Sequence, residues 1–239
     1  MNEATDKALA RQTWLGQLTE DIIEPNLAIV DPHHHLWVRE GGPYLFPELL
    51  TDLYSGHNVT STVFAECHSM YRPFGDVALR PVGETEFVAG VAAMSESGNF
   101  GSSRACAVMF GGADLTLGAE VERVLDAHVQ AAGGRFRGVR FSTGWHADEK
   151  IRNVAPHESM LRDPRVREGL GVLQRMGLAF DSWLYHPQLE EVAEIAAAFP
   201  DLTIVLNHVG SPILGGPYRG KTDEVFSEWK TGIATVAPH

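Results

Sequence analysis

The sequence predicts an α/β fold, a parallel sheet built from about six βα units, and three observations carry that prediction. From Leu27 onward, short β-branched runs alternate with amphipathic helical segments, the pattern that repeated βαβ units leave in a chain. The alternation is regular, and several of the apolar runs end in a histidine or an acidic residue. A chain of 239 residues also lies within the size range of a single α/β barrel, and no Ser/Gly-rich linker or block of like charge divides it.

The candidate strands are 28–31, 61–66, 105–110, 138–141, 179–184 and 203–206. The helices between them have readable ends. Asp163 caps a helix whose first position is Pro164, and Gly177 closes it, with Val166, Leu170 and Leu173 as its buried stripe. A second helix runs from about 119 to 132, with Val121, Val124, Leu125 and Val129 on one side, and ends at Gly133 and Gly134. A third spans 189–199 and is stopped by Pro200. The last, from about 223 to 236, points Val225, Trp229, Ile233 and Val236 one way. Segments 45–60 and 210–220 read as loops, and residues 1–26 as an N-terminal helical extension ahead of a barrel domain over 27–239. Loops that follow strands are where an α/β barrel keeps its chemistry.

Composition excludes several functions. A net charge of −12 argues against a phosphate-backbone partner. No stretch reaches ~18 uninterrupted apolar residues, so no membrane span is expected. The N-terminus, with Glu3, Asp6, Lys7 and Arg11, lacks the apolar run of a signal peptide. Two cysteines in apolar runs, Cys67 and Cys106, read as reduced thiols in a reducing compartment, and the expected localisation is cytoplasmic. The expected partner is a small-molecule substrate, with a homo-oligomer as a further option.

The strongest chemical signal is Ile29-Val30-Asp31-Pro32-His33-His34-His35-Leu36-Trp37. Strand alternation turns His33 and His35 to one side and His34 to the other, and two imidazoles on one face can bind one metal ion. Pro32 cannot donate to a sheet ladder, so the regular strand should end there and leave the histidines at its C-terminal mouth. A second strand ends in Tyr185-His186-Pro187, with Asp181 deeper in it and able to orient an imidazole or a cation. A third ends in Asn207-His208-Val209-Gly210. Arg140, in Phe136-Arg137-Gly138-Val139-Arg140, either points into the barrel, where a substrate carboxylate or Glu66 would pair it, or snorkels to the surface. Glu66 and His68 share a face. His128 is expected half-buried or at the surface, and Phe226 and Trp229 in the helix core. No phosphate-binding glycine loop and no Gly-x-Ser-x-Gly elbow is present.

These motifs, together with Phe64-Ala65-Glu66-Cys67 and Trp183-Leu184-Tyr185-His186-Pro187-Gln188, resemble the amidohydrolase-related family of the amidohydrolase superfamily, in its lactonase-like branch. The resemblance covers about Leu27 to the C-terminus. It implies a TIM-type (β/α)8 barrel, here incomplete at about six units. It implies that His33, His35 and His186 are metal ligands, for a divalent ion such as zinc or manganese, although lactonase relatives can use the same histidines without one. His208, Arg140 and His186 become the catalytic candidates, and Arg140, Glu66 and Tyr185 the substrate-binding ones. Asn207 stands where the family pattern has an aspartate. The family's strand-eight aspartate, general base and metal ligand, has no counterpart in the sequence, and two further βα units would need roughly another 70 residues. The expected function is hydrolysis of a small lactone by activated water. The alternatives are a metal-dependent decarboxylase of the same superfamily and an inactive truncated barrel.

Overall fold

The computed structural model of the chain describes residues 10, 11, 13–18 and 20–239. Of the helical extension expected over 1–26, residues 10, 11 and 13–15 are helical, residues 16–18 and 20–26 are not, and the rest lies outside the described residues. Six parallel strands form the principal sheet: β1 (Ile29–His34), β4 (Val59–Ala65), β5 (Arg104–Gly112), β6 (Phe136–Ser142), β7 (Ala179–Trp183) and β8 (Ile204–Leu206), hydrogen-bonded in that order. Between β1 and β4 the chain makes a small antiparallel hairpin of β2 (Trp37–Arg39) and β3 (Gly42–Tyr44), then helix α1 (Phe46–Leu53). The crossovers that follow use α2 (Val82–Glu96), α3 (Glu122–Ala131), α4 (Pro164–Arg175) and α5 (Leu189–Ala198), and α6 (Thr222–Val236) comes after β8.

Several local expectations hold. The Asp163 carboxylate accepts from Arg165 N at 2.7 Å ahead of Pro164, and Gly177, at φ +64°, turns the chain out of α4. Val166, Leu170 and Leu173 are fully buried, as are Val192 and Ile195 of α5. These side chains share one core with Phe64, Met109, Phe136 and Phe180 from the strands, which places the apolar layer between the sheet and its covering helices. Trp229, Ile233 and Val236 of α6 pack against the same core.

Other expectations need correction. Segment 45–60 is not all loop: α1 buries Phe46, Leu49 and Leu53, one stripe at helical spacing, with Pro47 in its first turn. Strand β1 does not stop at Pro32 but continues to His34, through a register shift between Asp31 and His34. Proline is tolerated because β1 is an edge strand, paired only with β4. His128 is fully buried, stacked on Phe136, with one ring nitrogen 2.8 Å from Thr85 Oγ1 and the other 3.0 Å from Gly112 O. Val129, expected on the buried side, and Phe226, expected in the core, are both exposed. Cys67 and Cys106 are free thiols, the second fully buried and the first only partly so.

The sheet is curled. His33 on the first edge strand and His208 just after the last lie with ring centroids 4.8 Å apart, so the two edges approach each other at the C-terminal mouth of the strands.

Candidate active site

The alternation read from the sequence is realised in β1. His34 turns away from the mouth, buried against Phe64, with Nε2 2.8 Å from Thr62 Oγ1. His33 and His35 turn the other way, and their Nε2 atoms lie 3.1 Å apart. The proton positions follow from the neighbours. His35 Nδ1 is 2.7 Å from Ala65 O, a carbonyl that can only accept, so the proton is on Nδ1 and Nε2 carries a lone pair. His33 Nε2, 3.1 Å away, can donate its proton to that lone pair, and an Arg140 terminal nitrogen lies against the His33 ring, 3.0 Å from Nε2 and 3.5 Å from Nδ1. Both rings are neutral at pH 7: burial, and then the Arg140 charge, pushes His33 down to about 3, and burial lowers His35.

Arg140 points inward and is 9% exposed. Its Nε donates to Asp181 Oδ2 at 3.1 Å, one terminal nitrogen donates to Glu66 O at 3.0 Å, and the other meets His33. The register explains the ion pair, because Arg140 on β6 and Asp181 on β7 are direct neighbours in the parallel ladder. Neither the Glu66 carboxylate nor the surface holds this guanidinium. Asn207 completes the arrangement, its Nδ2 lying 2.6 and 2.8 Å from the two Asp181 oxygens. Burial raises the Asp181 pKa, against the lowering effects of Arg140 and Asn207.

His208 reaches the cluster from a strained turn. His208 and Val209 have φ of 47° and 49°, a left-handed conformation that a β-branched residue avoids at a cost of roughly 1–2 kcal/mol. The turn is held by Ser211 N donating to His208 O at 2.9 Å and by Trp229 Nε1 donating to Val209 O at 2.6 Å. Burial and Arg140 lower the His208 pKa, so it is a neutral base.

Glu66 is buried at the end of β4, its Oε1 accepting from His68 N and from Tyr71 OH, both at 2.8 Å. Beside it lies a cavity of about 320 Å³ lined by Glu66, His68, Tyr71, Asp114, Arg140 and Ser142, among others. Two candidates find their partners outside this group. His186 Nδ1 accepts from Ile213 N at 3.3 Å, its ring meets Tyr218, and its Nε2 is 3.5 Å from Glu228 Oε2 on α6. Tyr185 donates its hydroxyl to Arg152 O at 2.6 Å. Sequence reasoning placed Asp181 near a cation but did not foresee that Asn207 holds it, and Tyr71 carried no signal of its own.

Two imidazole nitrogens 3.1 Å apart are spaced as two ligands of one ion, but the rest of the donor set does not fit a divalent metal. Among the described residues no group of three or more His, Cys, Asp or Glu side chains is arranged to hold one. His186 faces Glu228, Asp181 is committed to Arg140 and Asn207, and the Arg140 charge touches His33. A second cation ~4 Å from that guanidinium would meet repulsion of roughly 4 kcal/mol per unit charge at an effective dielectric of 20.

A curled parallel sheet with histidines at the ends of its first and last strands, gathered around a buried arginine, has the arrangement of an α/β-barrel site, whose chemistry sits at the C-terminal mouth of the strands. Residues 30–237 match the amidohydrolase family, and the chain belongs to that family. It is 31% identical over 227 residues to the protein y4mH of Sinorhizobium fredii, covering 89% of this chain and 70% of y4mH. The fold is similar to that of a Burkholderia multivorans amidohydrolase crystallised with bound zinc, with a TM-score of 0.62 at 21% identity over 89% of this chain and 66% of that one. It is also similar to a probable 2-pyrone-4,6-dicarboxylic acid hydrolase from Acinetobacter baumannii with citric acid bound, with a TM-score of 0.51 at 13% identity over 85% of this chain and 65% of that one. The chain thus spans about two thirds of the length of these solved structures. No helix among the described residues is long and apolar enough to cross a membrane.

Proposed function

We propose that the protein is a cytoplasmic hydrolase that opens a small lactone with activated water. The observation that carries this reading is the grouping of three neutral imidazoles, His33, His35 and His208, around the buried Arg140 guanidinium. Hydrolysis of a carbonyl ester needs a base for the water proton and positive charge where the oxyanion develops. His208 is the base: it is neutral and solvent-accessible. As the water oxygen bonds to the carbonyl carbon, its proton passes to the His208 ring. Arginine has five N–H groups, and Arg140 commits two to Asp181 and Glu66 O while one terminal nitrogen lies against the His33 ring, which leaves N–H groups for the carbonyl oxygen. Collapse of the tetrahedral adduct breaks the ring C–O bond, and protonated His208 returns its proton to the departing alkoxide.

The cavity of about 320 Å³ beside Arg140 suits a small ligand, with Glu66 and Tyr71 on its wall. His186 and Tyr185 take no part in this step. The fold likeness to the probable 2-pyrone-4,6-dicarboxylic acid hydrolase of Acinetobacter baumannii supports the lactone over other carbonyl substrates. A lactone needs no donor beyond those gathered here, which favours it over metal-dependent decarboxylation. The free thiols support a reducing compartment.

The test is a proton-release assay at neutral pH on a panel of five- and six-membered lactones, with carbon dioxide release followed in parallel on the matching carboxylic acids. Turnover of a lactone without carbon dioxide supports the proposal. Carbon dioxide release without lactone turnover overturns it.

A further inference from the structure

We propose that the Arg140 guanidinium is the resident cation of the His33–His35 pair, and that Asp181 and Asn207 hold it there so that the pair takes no divalent metal. A divalent ion on this pair would need both Nε2 lone pairs and the space beside them, and the Arg140 guanidinium already sets a positive charge there, 3.0 Å from His33 Nε2. The guanidinium is not a loose occupant. Glu66 O and Asp181 fix two of its N–H groups, a terminal nitrogen lies against the His33 ring, and it is almost entirely buried. Position 207 matters to this. Asparagine donates to both Asp181 oxygens, whereas an aspartate would set a second negative charge against them. The Asp181 carboxylate is therefore already spent on a cation that belongs to the chain. Removing the guanidinium would leave two imidazoles and a carboxylate around the vacated space, the mixed nitrogen and oxygen set that zinc accepts.

The test reads metal content and needs no substrate, so its failure and failure of the lactonase reading are separate events. The full chain and its Arg140→Met and Arg140→Lys variants are stripped with chelator and dialysed against zinc. Elemental analysis then gives the stoichiometry, and cobalt(II) substitution gives a visible spectrum that reports imidazole ligation. The wild type and Arg140→Lys should hold zinc well below one equivalent. Arg140→Met should bind more than about tenfold tighter than wild type, and His33→Asn added to it should abolish the gain. Stoichiometric zinc in the wild type, lost on His33→Asn, overturns the proposal whether or not Arg140→Met folds. So does a folded Arg140→Met, checked by circular dichroism, that takes up no zinc.

Discussion

His33 on the first strand and His208 in the turn after the last stand with ring centroids 4.8 Å apart. The two ends of the sheet are thus joined at the mouth by side chains, while their backbones carry no ladder between them. Between the rings and the sheet interior sits Arg140, and its orientation depends on the neighbouring strand through Asp181.

Asn207→Asp tests that dependence. Two hydrogen bonds to Asp181 are lost and a like charge appears, which should free Arg140 from its fixed geometry. The expected result is a stability loss of about 1–3 kcal/mol in denaturant unfolding, the scale set by unpaired buried polar groups, together with lower kcat. Unchanged stability and kcat would show that Asp181 needs no second partner.

Gly138→Ala tests the register that delivers Arg140 beside Asp181. A Cβ at Gly138 would lie 2.2 Å from Ala179 O and 2.7 Å from the Phe110 ring, so strand β6 cannot keep its place beside β7. Loss of the cooperative thermal transition, or a large drop in Tm, is expected. A variant as stable as wild type would mean that β6 and β7 are not paired at this position.

Stability should fall toward both ends of the pH range, for opposite reasons. His128 is pushed down to about 4 by burial, so the unfolded chain binds more protons at acid pH. Its contribution is intact above about 6.5, the ordinary histidine value, and is lost as pH falls toward about 4. Glu84 is pushed up to about 8 by burial and by Glu66. Its contribution is intact below its ordinary value of 4.5 and is lost as pH rises through about 8. Glu84→Gln keeps an acceptor for Cys67 N and Ser69 N but cannot ionise, so its Tm should decline less than wild type between pH 5 and pH 8. Equal declines would exclude Glu84 as the source.

Much of this site was legible because it depends on period-two alternation. The sequence Asp31-Pro32-His33-His34-His35 puts two histidines on one face whatever the tertiary fold, and the apolar runs ahead of Arg140 and His208 mark the first as lying on a strand and the second just after one. The partnership of Arg140 with Asp181 was not legible, since it rests on the register between two strands separated by a long crossover. The place of His186 rests on tertiary packing against Tyr218 and α6, about which its own strand is silent. Helix α2 escaped notice because small residues, Gly83, Ala92 and Ser95, share its buried face with Glu84 and Thr85, and this blurs the apolar stripe. In α1 the stripe of Phe46, Leu49 and Leu53 was present but short.

The most direct measurement is the initial rate of lactone hydrolysis by chelator-treated wild type, His208→Gln and Arg140→Met under identical conditions. If His208 is the base and Arg140 the oxyanion partner, wild type keeps its turnover without added metal. Each variant, still folded by circular dichroism, should then lose at least about 10²-fold in kcat. Wild-type turnover that vanishes on chelation and returns with zinc, or variants that keep full turnover, would contradict that assignment.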